Sequence, residues 1–391
     1  MQFNYICSEC GQRFDIDPGL AVCPDCSQHQ QLNQPLVGVL EVELTGQLDG
    51  AFDIMAWLPV DKEYFPAIPV GGTPLWEPEI LRREMGFDSL YIKDDGANPT
   101  SSFKDRASYL VSAFASSHGT RKIVVASTGN AGSSMAGVGA AAGQQVILFL
   151  PRTAPTAKLV QALQYGATVY RVDGNYDLAY DLSMAYSEQR GGMSRNTAYN
   201  PMTIEGKKTV SLELFAQLQK APDYLFVGTG DACIVAGVYK GFRDLEKLGF
   251  IDRIPVIYSV QSDTSDALYR AFQSGVFKNI PTHTVADSIC VDVPRNGFHA
   301  LAQLKNHGGS VITVPDEMIL SAQAKLARST GLFTEPASAA AFAGFLKVKH
   351  KLPPDAAVVI LATGNGLKDS AAATRGIDVP ERVITSLDDI L

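Results

Sequence analysis

The sequence predicts an α/β protein with two three-layer domains built on parallel sheets, preceded by a small cysteine-rich ribbon. From Ser89 onward, short β-rich runs alternate with helical stretches, the pattern of right-handed βαβ units. Four of the six cysteines fall in the first 26 residues as Cys7-Ser-Glu-Cys10 and Cys23-Pro-Asp-Cys26. A length of 391 residues, at about 150 residues per domain, suggests two to three domains.

The ribbon comes first, over residues 1–35. Two Cys-x-x-Cys knuckles can place four thiolates around one tetrahedral ion, and the doubled knuckle is a strong signal for a structural zinc. Iron is a minor alternative. A pair of disulfides is the other arrangement, and it fits poorly with a reducing compartment. The N-terminus has neither a basic n-region nor an apolar h-region, which predicts a cytoplasmic protein. No apolar run reaches the ~18 residues of a membrane span.

After the ribbon, Leu36–Leu44 alternates as a strand would, and Pro69-Val-Gly-Gly-Thr73-Pro reads as a loop. Strands are expected at Leu90–Lys93, Lys122–Ala126, Gln145–Leu150, Thr168–Val172, Tyr224–Val227, Pro255–Val260 and Ala357–Ala362. Helices are expected at Phe103–Ser116, Ala131–Ala142, Ala157–Tyr165 and Tyr176–Gln189. In such folds the chemistry gathers in the turns at the carboxyl ends of strands.

Four of those turns carry informative residues. In Asn98-Pro-Thr-Ser-Ser-Phe-Lys104-Asp-Arg106, Pro99 disfavours helix and Thr100 to Ser102 offer caps, so Lys104 lands in a first helical turn. The macrodipole there favours the neutral amine, the form that attacks an aldehyde. The bland alternative is a solvated lysine paired with Asp105. Next, Ser127-Thr128-Gly-Asn130-Ala131 could receive a carboxylate at a helix N-terminus. The turn Gly228-Thr-Gly230-Asp231-Ala232-Cys233-Ile234 is shaped for a phosphate, although such a turn can equally be empty. The last, at Thr363-Gly-Asn-Gly, brings a hydroxyl to a strand end. One lysine, a carboxylate nest, a phosphate nest and a hydroxyl together match the needs of pyridoxal 5'-phosphate.

With these motifs in view, the sequence resembles the fold-type II pyridoxal-phosphate enzymes, and among them the threonine synthases. The resemblance runs from about Val70 through Phe103-Lys-Asp-Arg106, Ser127-Thr-Gly-Asn-Ala131, Asn200-Pro-Met-Thr-Ile-Glu-Gly206, Glu335-Pro-Ala-Ser338 and Thr363-Gly-Asn-Gly-Leu-Lys-Asp369. It implies a large cofactor-binding domain of residues 36–120 and 200–391 and a small mobile domain of residues 121–199. It also implies that Lys104 is the Schiff-base lysine and proton shuttle, and that Asn130 meets the cofactor's ring hydroxyl oxygen. Gly230, Asp231, Ala232, Cys233 and Ile234 would cradle the cofactor phosphate, and Thr363 would meet the pyridine nitrogen. Ser127, Thr128 and Ala131 would hold the substrate carboxylate. The implied reaction turns O-phospho-L-homoserine and water into L-threonine and phosphate.

Some positions depart from that pattern. Asp231 stands in the phosphate turn, and Thr203 stands where threonine synthases commonly carry an arginine. Leu150–Lys158 looks closer to threonine and serine dehydratases. A dehydratase, or a β-replacement enzyme acting on O-phosphoserine, is therefore the rival chemistry. For the substrate phosphate the available donors are Lys93, Arg106, Arg152, Lys158 and Arg295, with Thr100, Ser102 and Asn200. Of these Lys158 and Asn200 are favoured, because they flank the small domain that would close over the substrate.

The charge is 33 − 41 = −8, so a nucleic acid would be bound against the overall field. A ribbon that binds nucleic acid without catalysis is the remote third reading, since Glu9, Asp15, Asp17 and Asp25 face only Arg13 there. The expected partner is a small phosphorylated amino acid, with no membrane, and the expected assembly is a homodimer.

Overall fold

In the computed structural model, residues 1–391 are described apart from 49–51, 128, 153, 155, 175, 379, 382, 387–388 and 390–391. For 156–158 and 177 only the backbone is described. The N-terminal unit is an antiparallel sheet of β1 (Gln2–Cys7), β2 (Arg13–Phe14) and β3 (Leu40–Thr45) in the order β2-β1-β3. Gln2 pairs with Thr45 and Cys7 with Leu40, so this sheet reaches past residue 35. The strand expected at Leu36–Leu44 begins at Leu40.

The later strands are β4 (Leu75–Trp76), β5 (Leu90–Asp94), β6 (Lys122–Ala126), β7 (Gln145–Pro151), β8 (Thr168–Val172), β9 (Met193–Ser194), β10 (Tyr224–Gly228), β11 (Val256–Ser262), β12 (Ser310–Val314) and β13 (Val358–Ala362). They form a six-stranded sheet, β12-β11-β10-β13-β5-β4, and a four-stranded sheet, β8-β7-β6-β9. Every pairing in these two sheets is parallel except β4 with β5. Central strands such as β13 are buried along their whole length. A strand covered by helices on both faces reads as an unbroken apolar run, which is why these were legible. The edge strand β12 keeps Ser310, Ile312 and Thr313 half-exposed, and its mixed composition hid it.

The helices Lys104–Ser117, Asn130–Ala141, Thr156–Gln164 and Tyr176–Arg190 lie within a residue or so of their expected bounds. One apolar cluster around Phe226, Val260, Phe342 and Ile360 fills one side of the six-stranded sheet. Another around Val227, Val238, Phe242 and Leu361 fills the other. A third joins Tyr5, Cys23 and Val42 of the N-terminal unit to Leu110 and Phe114 of the Lys104 helix.

An ionic network anchors that helix. Arg106 Nε donates to Asp95 at 2.6 Å, and its two Nη atoms donate to Glu213 at 2.7 and 2.8 Å. Lys93 Nζ donates to Glu213 at 2.7 Å, and Thr73 and Thr209 hydroxyls accept from Arg106. Burial works against the Glu213 carboxylate, yet Arg106 and Lys93 hold its pKa well below the usual range. Lys93 and Arg106 are thus internal ion-pair partners, committed away from any ligand.

Candidate active site

Lys104 opens its helix directly after Phe103, whose N–H donates to Thr363 O at 2.8 Å. Two residues earlier, Ser101 takes a left-handed conformation at φ 67°, strained for a residue with a side chain. Asp105 does not pair with Lys104; it accepts from Thr100 N at 2.7 Å and from the Thr100 hydroxyl. Lys104 lies between two adjoining cavities, a narrow slot and a wider chamber. Burial pushes its amine pKa down and Arg195 pushes it further, against Asp231, Cys233 and Glu335. The surroundings thus shift the amine toward its neutral, nucleophilic form.

The slot is bounded by the turn after β10. Thr229 N donates to Val260 O at 2.8 Å, and a Cβ on Gly230 would sit 2.8 Å from Ile289 Cα, so that position has no room for a side chain. Ala232, left-handed at φ 63°, starts the helix Cys233–Lys247. The first intrahelical bond runs from Ala236 N to Ala232 O, which leaves the amides of Cys233, Ile234 and Val235 as the orphan donors of the first turn. Those donors and the macrodipole suit a phosphate. Asp231 turns partly aside, its Oδ1 accepting from Arg295 N at 3.2 Å, and burial raises its pKa.

Across the slot, Asn130 opens the helix after β6 and donates to Glu335. Its Oδ1 is buried with no partner among the described residues. At the end of β13, the Thr363 and Ser338 hydroxyls lie 3.0 Å apart. Ser338 Oγ also accepts from the amides of Thr363 and Gly364 at 2.9 and 2.8 Å. The pair is neutral and rigidly placed. Orphan amides, an unpartnered amide oxygen, a hydroxyl pair and a buried amine are a donor set that fits an aromatic aldehyde phosphate.

The chamber holds Ser127, Gly129 and Ala131 on one wall and Arg195 and Thr197 elsewhere. Ser127 Oγ accepts from Gly129 N at 3.1 Å, which shapes the nest at the start of the Asn130 helix. Thr128 lies outside the described residues, and so does the side chain of Lys158. Asn200 does not line either cavity. It caps the helix Pro201–Lys207, accepting from Met202 N at 2.9 Å and donating to Ser194 O at 2.8 Å. Arg152 is on the surface beside Asp173, and Arg295 lies over the Tyr180 ring at 5.1 Å. Arg195, Ser288 and the segment 287–293 line the chamber without any motif to announce them. Glu335 stood in a recognisable motif, but only the fold shows that it faces Asn130.

In the N-terminal unit, the four sulfurs of Cys7, Cys10, Cys23 and Cys26 all lie within 4.8 Å of one another. Cys7 to Cys26 and Cys10 to Cys23 are each 3.8 Å, and all four are free thiols. A tetrahedral tetrathiolate with Zn–S of about 2.3 Å has sulfurs about 3.8 Å apart. The spacing is compatible with a four-thiolate metal site, and no disulfide joins these four residues.

Comparison with known proteins identifies the family. The family model for pyridoxal-phosphate dependent enzymes matches residues 67–364. The threonine synthase of Methanocaldococcus jannaschii is 34% identical over 392 residues, 96% of each chain. That of Methanosarcina acetivorans is 34% identical over 99% of this chain and 98% of its own. Among solved structures, threonine deaminase isoform 2 from Solanum lycopersicum superposes with a TM-score of 0.69 at 22% identity, covering 83% of this chain and 90% of that one. Maize serine racemase gives 0.68 at 21%, covering 78% and 91%; both likenesses speak to the fold. No helix among the described residues is long and apolar enough to cross a membrane. By the matched family model and by relatives aligned over nearly its whole length, the chain belongs to the threonine synthase family of pyridoxal-phosphate dependent enzymes.

Proposed function

We propose that the chain converts O-phospho-L-homoserine and water into L-threonine and phosphate, with pyridoxal phosphate carried on Lys104. The observation that bears most weight is the placement of Lys104, with the amides of Cys233 to Val235 on one side and the Ser127–Ala131 nest on the other. When bound, the cofactor supplies an electron sink for charge developing at the substrate α-carbon. The protein's part is to orient and to move protons. Ser127 and Ala131 would hold the substrate carboxylate, Asn130 and the 230–234 turn would hold the cofactor's ring oxygen and phosphate, and Thr363 would serve its ring nitrogen. Lys104 Nζ, whose pKa burial lowers, takes the α-proton and later returns it to the same carbon. A hydroxyl at the ring nitrogen stabilises positive charge there less than a carboxylate would, which suits elimination and replacement over transamination.

The division into a large unit (36–120 with 200–391) and a small closing unit (121–199) is supported by the two separate parallel sheets. The 3.8 Å sulfur spacing supports a structural zinc on Cys7, Cys10, Cys23 and Cys26. Four unbridged thiols also suit a reducing, cytoplasmic setting. The test of function is a dual assay. Holoenzyme with O-phospho-L-homoserine should release phosphate and threonine in equal amounts. Formation of 2-oxobutanoate and ammonia from threonine, without phosphate release, would move the assignment to a dehydratase.

A further inference from the structure

Arg195 is a buried guanidinium with no carboxylate partner among the described residues. Its backbone is fixed where β9 ends, with Arg195 N donating to Val124 O at 2.8 Å, and the residue is 1% exposed. Nε donates to Ser108 Oγ at 3.2 Å, and Nη2 reaches Lys104 O at 3.4 Å. Nη1 has no partner among the described residues, and no described carboxylate lies within 4.0 Å of the group. Burial pushes the pKa down to about 10. A desolvated charge of this kind is costly unless an anion completes it.

Lys207 repeats the pattern close by. It is 0% exposed, and among the described residues its Nζ donates only to Thr203 O, at 2.9 Å. Burial lowers its pKa to about 7; Cys233 opposes this, while Arg195 and Lys104 add to it. Arg195 thus acts electrostatically on both Lys104 and Lys207. Of the carboxylates on the chamber walls, Asp231 is engaged by Arg295 N, and Asp292 accepts from Thr282 N and Oγ1 at 2.7 and 2.8 Å.

Arg195 lines the chamber that holds the Ser127–Ala131 nest, and it does not line the slot with the orphan amides. The slot already offers amides for the cofactor phosphate. The chamber offers two anion sites, and the proposed substrate carries two anionic groups. We propose that Arg195 binds the phosphate of the substrate directly, with Lys207 behind it as a supporting charge. The assignment rests on the function proposed above and makes Arg195 the residue that distinguishes a phosphorylated from an unphosphorylated amino acid.

The experiment measures binding without turnover. Holoenzyme is titrated with inorganic phosphate and, separately, with L-threonine, each followed by the cofactor absorbance. Arg195→Gln should weaken phosphate by about thirtyfold or more, the loss expected for one partner of a buried charge pair. L-threonine should shift by less than about threefold, and the cofactor should stay bound. Lys207→Gln, which leaves the Arg195 contacts in place, should weaken phosphate in the same direction by a smaller factor, and it serves if the first variant fails to fold. Unchanged phosphate affinity, an equal loss for both ligands, or loss of the cofactor instead would each overturn the proposal. Absence of phosphate binding by the wild type would overturn it too. If phosphate binds through Arg195 but no threonine is formed from O-phospho-L-homoserine, the proposed function fails and this subsite stands.

Discussion

Asn130 donates its side-chain amide to both carboxylate oxygens of Glu335, at 2.9 and 3.1 Å. The two residues are 205 positions apart in sequence. One opens the helix after a strand of the four-stranded sheet, and the other caps the helix Pro336–Val348 against the six-stranded sheet. Both residues line the slot.

Asn130, whose amide nitrogen is committed to Glu335, is also the residue assigned to the cofactor's ring oxygen. Asn130→Ala should therefore weaken pyridoxal phosphate by roughly tenfold or more, since a hydrogen bond to a charged group is worth ~1.5–3 kcal/mol. Spectrophotometric titration of the apoenzyme measures this. Unaltered affinity would mean that the amide serves only the Glu335 contact.

How much of this was legible follows from what each feature depends on. Lys104 could be placed in a first helical turn because Pro99 and the capping residues act locally. The buried strands could be read because two covered faces leave no polar alternation. The partners of Arg106 could not be read. Asp95 and Glu213 lie 11 and 107 residues away, and a lone arginine near an aspartate suggests the wrong neighbour. Arg195 was invisible for a related reason: its meaning lies in what does not surround it, and only a fold shows that. Asn200 was legible as a polar residue near the site, but its use as a helix cap depends on Pro201 and Met202 adopting the helix.

Arg106→Ala should destabilise the protein by about 3–5 kcal/mol, because Asp95 and Glu213 would be left as buried charges without a partner. Denaturant unfolding gives the value directly. A loss below about 1 kcal/mol would show that water or rearrangement satisfies both carboxylates.

Lys207 sets a pH dependence whose sign follows from its lowered pKa of about 7. An unfolded lysine titrates near 10.4, so between those values the unfolded chain holds the extra proton. Stability must then rise with pH across that window. Relative to Lys207→Met, the cofactor-free wild type in phosphate-free buffer should gain ~1–2 kcal/mol from about pH 7.5 to about pH 9.5. A constant difference between the two proteins over that range would contradict the depressed value.

The cysteine cluster should bind one equivalent of zinc. Cys7→Ser or Cys23→Ser should lose the metal and loosen residues 1–45, since a structural site couples binding to folding. Threonine formation should survive better than metal binding does. Elemental analysis with hydrogen exchange checks both, and a metal-free, fully protected native unit would count against zinc.

The central claim is that Lys104 carries the cofactor, and there is a nearby competitor for that role: Lys207 is also a buried amine with a lowered pKa. Borohydride reduction of the holoenzyme, followed by proteolysis and mass spectrometry, separates the two. The pyridoxyl group should appear on the peptide containing Lys104, and Lys104→Ala should be unmodified and inactive. A reduced adduct on Lys207, or on any lysine other than Lys104, would contradict the account.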